Sequence, residues 1–133
     1  MKSKEIANYL SELILQKKGT NIKILELKKL TPVSDYFVIC SGDSTTQVKA
    51  IADNIETKLR EKGIKPIGKE GFKQAHWVLI DYGDVVVHVF ETETRDYYEL
   101  EKFWLDAPRI PVNAEGKANL GRKDKRTVSV RGN

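Results

Sequence analysis

With a single cysteine, Cys40, this chain of 133 residues forms no internal disulfide and offers no cysteine-based metal cluster. Its strand context, Tyr36-Phe37-Val38-Ile39-Cys40, marks that thiol as a small buried hydrophobe. There are only two histidines, His76 and His88, and they do not stand at metal-ligand spacing. No apolar run approaches the length needed to cross a bilayer. The opening MKSKEIANYL sets charged residues where a signal peptide needs its apolar stretch, so the expectation is a cytoplasmic protein with no membrane contact. Spaced glycines followed by a lysine, the mark of a nucleotide loop, are missing as well. What is present is an apolar content of 40% and a charged content of 32%, enough for one globular domain with a real core and too short a chain for two.

The formal charge of +4 is unevenly spread. Residues 113–133 hold six basic and two acidic side chains and account for all of it. Residues 1–73 carry 14 basic against 9 acidic residues, whereas residues 74–112 carry 3 against 8, a local charge of −5. A surface of that sign favours a basic partner and repels a bare phosphate backbone.

The stretch His76 to Phe90, HWVLIDYGDVVVHVF, reads as a hairpin. Two runs rich in β-branched and aromatic residues flank Tyr82-Gly83-Asp84, where glycine permits positive φ and aspartate suits a turn. In the second run both faces are apolar, Val85, Val87 and Val89 against Val86, His88 and Phe90, which predicts a central strand covered on both sides. Before it, Ile6, Leu10, Leu13 and Ile14 recur at helical spacing behind Ser3 as a cap. Strands are expected over 21–30, with a phase change near Ile24, and over 35–41. Ser44 and Gln47 form a capping box for a helix that carries Val48, Ile51, Ala52, Ile55 and Leu59 and ends at Gly63. Lys65 to Gly68 reads as an edge strand and Glu70 to Ala75 as a loop. A last helix is expected over 96–106, with Tyr97, Leu100, Phe103 and Trp104 on one face until Pro108 stops it. The fold class is therefore mixed α/β, a mixed sheet of about five strands flanked by helices, over residues 1–111. Residues 112–133, small, polar and basic, read as a disordered tail.

Several groups invite a chemical role. The turn Gly42-Asp43-Ser44 at a strand-to-helix junction would suit a phosphate on free helix amides, or it is a tight turn with a cap. A nucleotidyl-transferring enzyme also needs two metal-binding carboxylates one residue apart on a strand. The corresponding Ala52-Asp53-Asn54-Ile55-Glu56 lies on a helix, so the enzymatic alternative built on Gly42–Ser44 lacks its metal pair. Asp81 and Asp84, three residues apart across a turn, suit turn formation or a protein contact better than acid–base work. Trp77 reads equally as a core aromatic or as an interface anchor, and Trp104 as core.

The strings Asp35 to Gly42, Gln47-Val48, Ala50 to Asp53, Glu70-Gly71, Trp77 to Phe90 and Arg95 to Glu101 with Trp104 closely resemble the ribosomal silencing factor family, RsfS, also called Iojap, over about residues 3–107. The resemblance implies a nucleotidyltransferase-like shape without the catalytic carboxylates and a protein that is not an enzyme, with no cofactor and no metal. It also implies binding to the large ribosomal subunit through ribosomal protein fourteen of that subunit. That contact would block joining of the small subunit and repress translation when nutrients are scarce. Carried over by position, Trp77 and Tyr82 are contact residues, with Asp81 and Asp84 at the hairpin tip, Glu70 and Gly71 in the neighbouring loop, and Tyr98 and Glu101 in the acidic segment that follows. The family also implies a homodimer when free. The basic tail lies outside the shared pattern; it touches ribosomal RNA phosphates or only adds solubility.

Overall fold

The computed structural model describes residues 1–112, and its organising strand is the second arm of the expected hairpin. Val85–Glu91 (β5) is buried from Val85 to Phe90. It pairs antiparallel with Trp77–Asp81 (β4) and parallel with Tyr36–Gly42 (β2). Thr20–Glu26 (β1) pairs antiparallel with β2, its register shifting between Thr20 and Lys23, where Asn21 takes φ 51°. Gly68–Glu70 (β3) closes one edge against β4. The other edge is Arg109–Ile110 (β6), antiparallel to β1. The sheet thus has six strands in the order β3-β4-β5-β2-β1-β6, one more than the expected five. The extra strand is two residues long and lies between Pro108 and Pro111, too short for an alternating pattern to announce it.

Helices Ser3–Gln16 (α1) and Thr45–Glu61 (α2) cover one face. Leu10, Leu13 and Ile14 of α1 and Val48, Ile51, Ile55 and Leu59 of α2 meet Ile24, Val38, Cys40, Val78, Ile80, Val87 and Val89 there, all fully buried. Each such side chain contributes about 2 kcal/mol of transfer free energy. Burial pushes the Cys40 thiol up to about 12, the nearby Arg95 charge offsetting only part of that. Lys2 rather than Ser3 stands at the N-cap of α1, its amide donating to Glu5 Oε1 at 3.0 Å. Ser44 does cap α2, its hydroxyl accepting from the Gln47 amide at 3.1 Å. The Gln47 side chain turns elsewhere than a capping box requires. Its Oε1 accepts from the Asp43 amide at 2.6 Å, and its Nε2 donates to the Lys17 and Lys18 carbonyls at 3.2 and 2.9 Å, tying α2 to the end of α1.

The opposite face is covered by the last segment alone. In place of one helix over 96–106 there is a short helix, Thr92–Tyr98 (α3), then a 3₁₀ turn, Leu100–Trp104, with Glu99 between them in the left-handed region at φ 51°. That break turns Leu100 and Trp104 onto the sheet, where they pack with Leu25, Leu27, Phe37, Ile39, Trp77, Phe90 and Ala107. Tyr97 and Phe103, expected on the same face as those two, are instead 80% and 77% exposed. Val112, assigned to the tail by its sequence, forms a bridge and packs on the helical side. The rest of the expected tail, 113–133, lies outside the described residues.

Candidate partner-binding surface

Alternation along β4 sends Val78 and Ile80 to the helices and Trp77, Leu79 and Asp81 to the thinly covered face. Cross-strand register then builds rows on that face. Trp77 stands opposite Phe90, Leu79 opposite His88, and Asp81 opposite Val86. Glu70 on β3 stands opposite Leu79 and so shares the face. The result is an aromatic layer. Trp77 stacks on Phe90 with ring centroids 4.7 Å apart, Phe37 meets His88 edge-on at 4.7 Å, and Phe37 meets Trp104 at 5.7 Å. The Trp77 indole N–H donates to His88 Nδ1 at 3.1 Å. Burial holds His88 down at about 4, so its ring is neutral near pH 7 and its Nδ1 is free to accept.

At the Trp77 end of this layer an open cleft of about 550 Å³ lies between β4 and α3. Gly71, Trp77 and Tyr98, all expected contact residues, line it together with His76, Glu91, Glu93 and Tyr97. Tyr98, half exposed, lies 5.1 Å from Trp77 and 5.1 Å from Tyr97 between ring centroids. His76 Nδ1 is 2.9 Å from Glu91 Oε1, whereas Glu93 is exposed. Gly71 has φ +84°, and a Cβ there would collide with the Trp77 carbonyl oxygen. Only glycine lets the loop after β3 lie this close to β4.

The other expected contact residues lie apart from the cleft. Glu70 is exposed at the end of β3. Asp81 and Tyr82 stand at the far end of β4, with Tyr82 roughly 16 Å along the strand direction from Trp77. Asp81 Oδ1 accepts from the Gly83 amide at 2.7 Å and closes the turn. Tyr82 sits on the opposite face, half-buried against the helical core, and burial pushes its hydroxyl up, with Glu56 adding to the shift and Arg60 opposing it. Asp84 is exposed, while its carbonyl accepts from the Asp35 and Tyr36 amides at 2.8 and 3.0 Å and from Ser34 Oγ at 2.9 Å.

Glu101 is engaged inside the protein. Its Oε1 accepts from Arg95 Nε at 2.9 Å. Burial raises the Glu101 carboxyl, but the Arg95 hydrogen bond and charge, with Arg109 and Lys23, outweigh it and leave the group lowered. Arg95 also donates to the Asn21 carbonyl at 2.6 Å and to Ser41 Oγ at 2.8 Å, and it is 4% exposed. Sequence reasoning assigns Arg95 no role. A signal exists all the same, since it is one of three basic residues in the acidic stretch 74–112. His76, Glu91, Glu93 and Tyr97 carry no comparable signal, because chain order does not reveal which of them converge on one cleft.

At the Gly42–Ser44 turn the Asp43 and Gln47 amides are taken by side chains of α2 and its cap. Among the described residues no group of three or more His, Cys, Asp or Glu is arranged to hold a metal ion. No helix among them is long and apolar enough to cross a membrane.

The sequence model of one family, RsfS, described as "Ribosomal silencing factor during starvation", matches residues 1–132. A ribosomal silencing factor RsfS from Halalkalibacterium halodurans is 43% identical over 112 residues, covering 84% of this chain and 96% of that protein. Another, from Bacillus subtilis, is 45% identical over 108 residues, covering 81% of this chain and 92% of that one. A crystal structure of a Chromobacterium violaceum protein has the same fold, with a TM-score of 0.76 at 41% identity over 78% of this chain and 87% of that one.

Proposed function

The chain belongs to the RsfS family of ribosomal silencing factors, and from that premise we propose that it silences as a regulatory protein rather than as an enzyme. It binds the large ribosomal subunit through ribosomal protein fourteen of that subunit, in the cytoplasm. By occupying that surface it keeps the small subunit from docking, and translation falls under nutrient limitation. The observation that carries this reading is the partly buried Trp77, flanked by the exposed rings of Tyr97 and Tyr98, in a segment of charge −5. An aromatic anchor surrounded by acids fits a basic ribosomal protein in both shape and sign. On this reading Trp77, Tyr98, Gly71 and Glu70 make the contact, with Asp81, Asp84 and Tyr82 bordering it at the hairpin tip. Glu101 acts through Arg95 by fixing the segment that carries Tyr98.

Two further parts of the reading concern assembly. When free, the protein is a homodimer that covers exposed apolar groups such as Phe103. The six basic side chains of residues 113–133 add a salt-dependent contact to ribosomal RNA.

Co-sedimentation with purified large subunits, small subunits and joined ribosomes at two salt concentrations tests the proposal. Selective pelleting with large subunits, lost in Trp77→Ala and accompanied by fewer joined ribosomes, is the expected result. A protein that stays in the supernatant with every particle overturns it.

A further inference from the structure

The cleft beside Trp77 has a composition that specifies its occupant. Three aromatic rings, Trp77, Tyr97 and Tyr98, stand around it, and two of them are half or more exposed to solvent. Two carboxylates, Glu91 and Glu93, share the lining, and among the described residues no lysine or arginine does. Glu91 is held by His76, which fixes its carboxylate in place, while Glu93 has no ion-pair or hydrogen-bond partner among the described residues. A neutral apolar group would leave these carboxylates to be desolvated without compensation, and an anion would be repelled.

We propose that this cleft is a guanidinium site that receives one arginine side chain from the basic surface of the protein's ribosomal partner, a proposal that rests on the reading above. The flat guanidinium stacks on the exposed rings of Tyr97 and Tyr98, beside Trp77, and its N–H fork donates to Glu93 and to the second carboxylate oxygen of Glu91. A lysine would satisfy the charge, yet its compact, strongly hydrated ammonium gains less from a wall of rings. Gly71 completes the site by letting the loop after β3 lie directly against the start of β4, where a Cβ would strike the Trp77 carbonyl.

The probe is Nα-acetyl-arginine amide, titrated into the full chain while the Trp77 indole N–H resonance is followed by NMR. Nα-acetyl-citrulline amide, of the same shape but uncharged, is the control. A saturable shift with the arginine compound, about tenfold weaker with citrulline and weakened again in Glu93→Gln, is expected. Equal responses to the two compounds, or none to arginine at millimolar concentrations, overturn the assignment. In co-sedimentation, Glu93→Gln should weaken large-subunit binding about threefold and flatten its salt dependence; unchanged affinity and salt dependence count against an arginine in the cleft. If the unaltered protein itself fails to pellet with large subunits, the functional reading has failed, and the arginine titration still decides what the cleft binds.

Discussion

The indole N–H of Trp77 points at Nδ1 of His88 over 3.1 Å, which requires the imidazole to be neutral. His88 is 3% exposed, and burial lowers it from 6.5 to about 4 in the folded protein. A histidine depressed on folding contributes stability that is complete above its unfolded value and is lost as the pH falls toward its folded value. Between about pH 6.5 and pH 4 the protein should therefore lose on the order of 3 kcal/mol of unfolding free energy from this residue alone. Urea denaturation across that range checks it. In His88→Gln the same window should be flatter by that amount, and identical pH profiles for the two proteins would show that His88 carries no linkage.

Trp77 and Tyr82 occupy opposite faces and opposite ends of one strand, so truncating each has a different expected outcome. Trp77→Ala removes the anchor of the aromatic layer and should weaken large-subunit binding by about 2 kcal/mol, an interface hot-spot amount. Tyr82→Ala opens a cavity against α2 and should cost about 2 kcal/mol of stability. Its folded form should keep most of its ribosome affinity, since Tyr82 only borders the proposed contact. Pairing melting curves with co-sedimentation separates the effects. A Tyr82→Ala protein that stays stable but loses binding would move the contact to the hairpin tip.

How much of this was legible in the sequence depends on where the information lies. Short-range patterns read well. The two apolar faces of β5, the turn at Gly83 and the cap at Ser44 are decided by neighbours in the chain, and all three are where the pattern puts them. Long-range choices were not visible. Nothing local stops a helix at Glu99, and the break follows from packing Leu100 and Trp104 onto the sheet while Arg95 reaches back to Asn21 and Ser41, residues more than fifty positions earlier. The cleft is a product of the same tertiary choice. Its rings come from β4 and α3, and only the break after Tyr98 sets them side by side.

The Arg95–Glu101 pair should behave as a structural lock. Removing one partner of a buried ion pair leaves the other charge without compensation, which costs about 3–5 kcal/mol. Arg95→Ala is expected near the top of that range, since it also orphans the Asn21 carbonyl and Ser41 Oγ. Glu101→Gln is expected to cost less, because the amide that replaces the carboxylate still offers an oxygen to the Arg95 Nε–H and the Glu101 side chain is 23% exposed. Arg95→Lys should rescue little, because an ammonium cannot serve three acceptors set in a planar fork. Urea midpoints for the three variants decide this, and a wild-type midpoint in Arg95→Ala would rule the lock out.

Gly71 tests whether the loop after β3 and the cleft are built as one unit. At φ +84° an alanine is strained by about 1–2 kcal/mol before any contact is considered. Its Cβ would in addition strike the Trp77 carbonyl oxygen, a backbone atom that cannot rotate away, so the loop or the start of β4 must move. Gly71→Ala should therefore lose at least about 2 kcal/mol of stability. It should also shift the Trp77 indole resonance, because β4 begins at the residue being pushed. Gly63, with φ +80° and nothing within 4 Å of a built Cβ, supplies the control for backbone strain alone. If Gly63→Ala and Gly71→Ala cost the same and leave Trp77 undisturbed, the close approach of the loop contributes nothing, and the cleft owes its shape to α3.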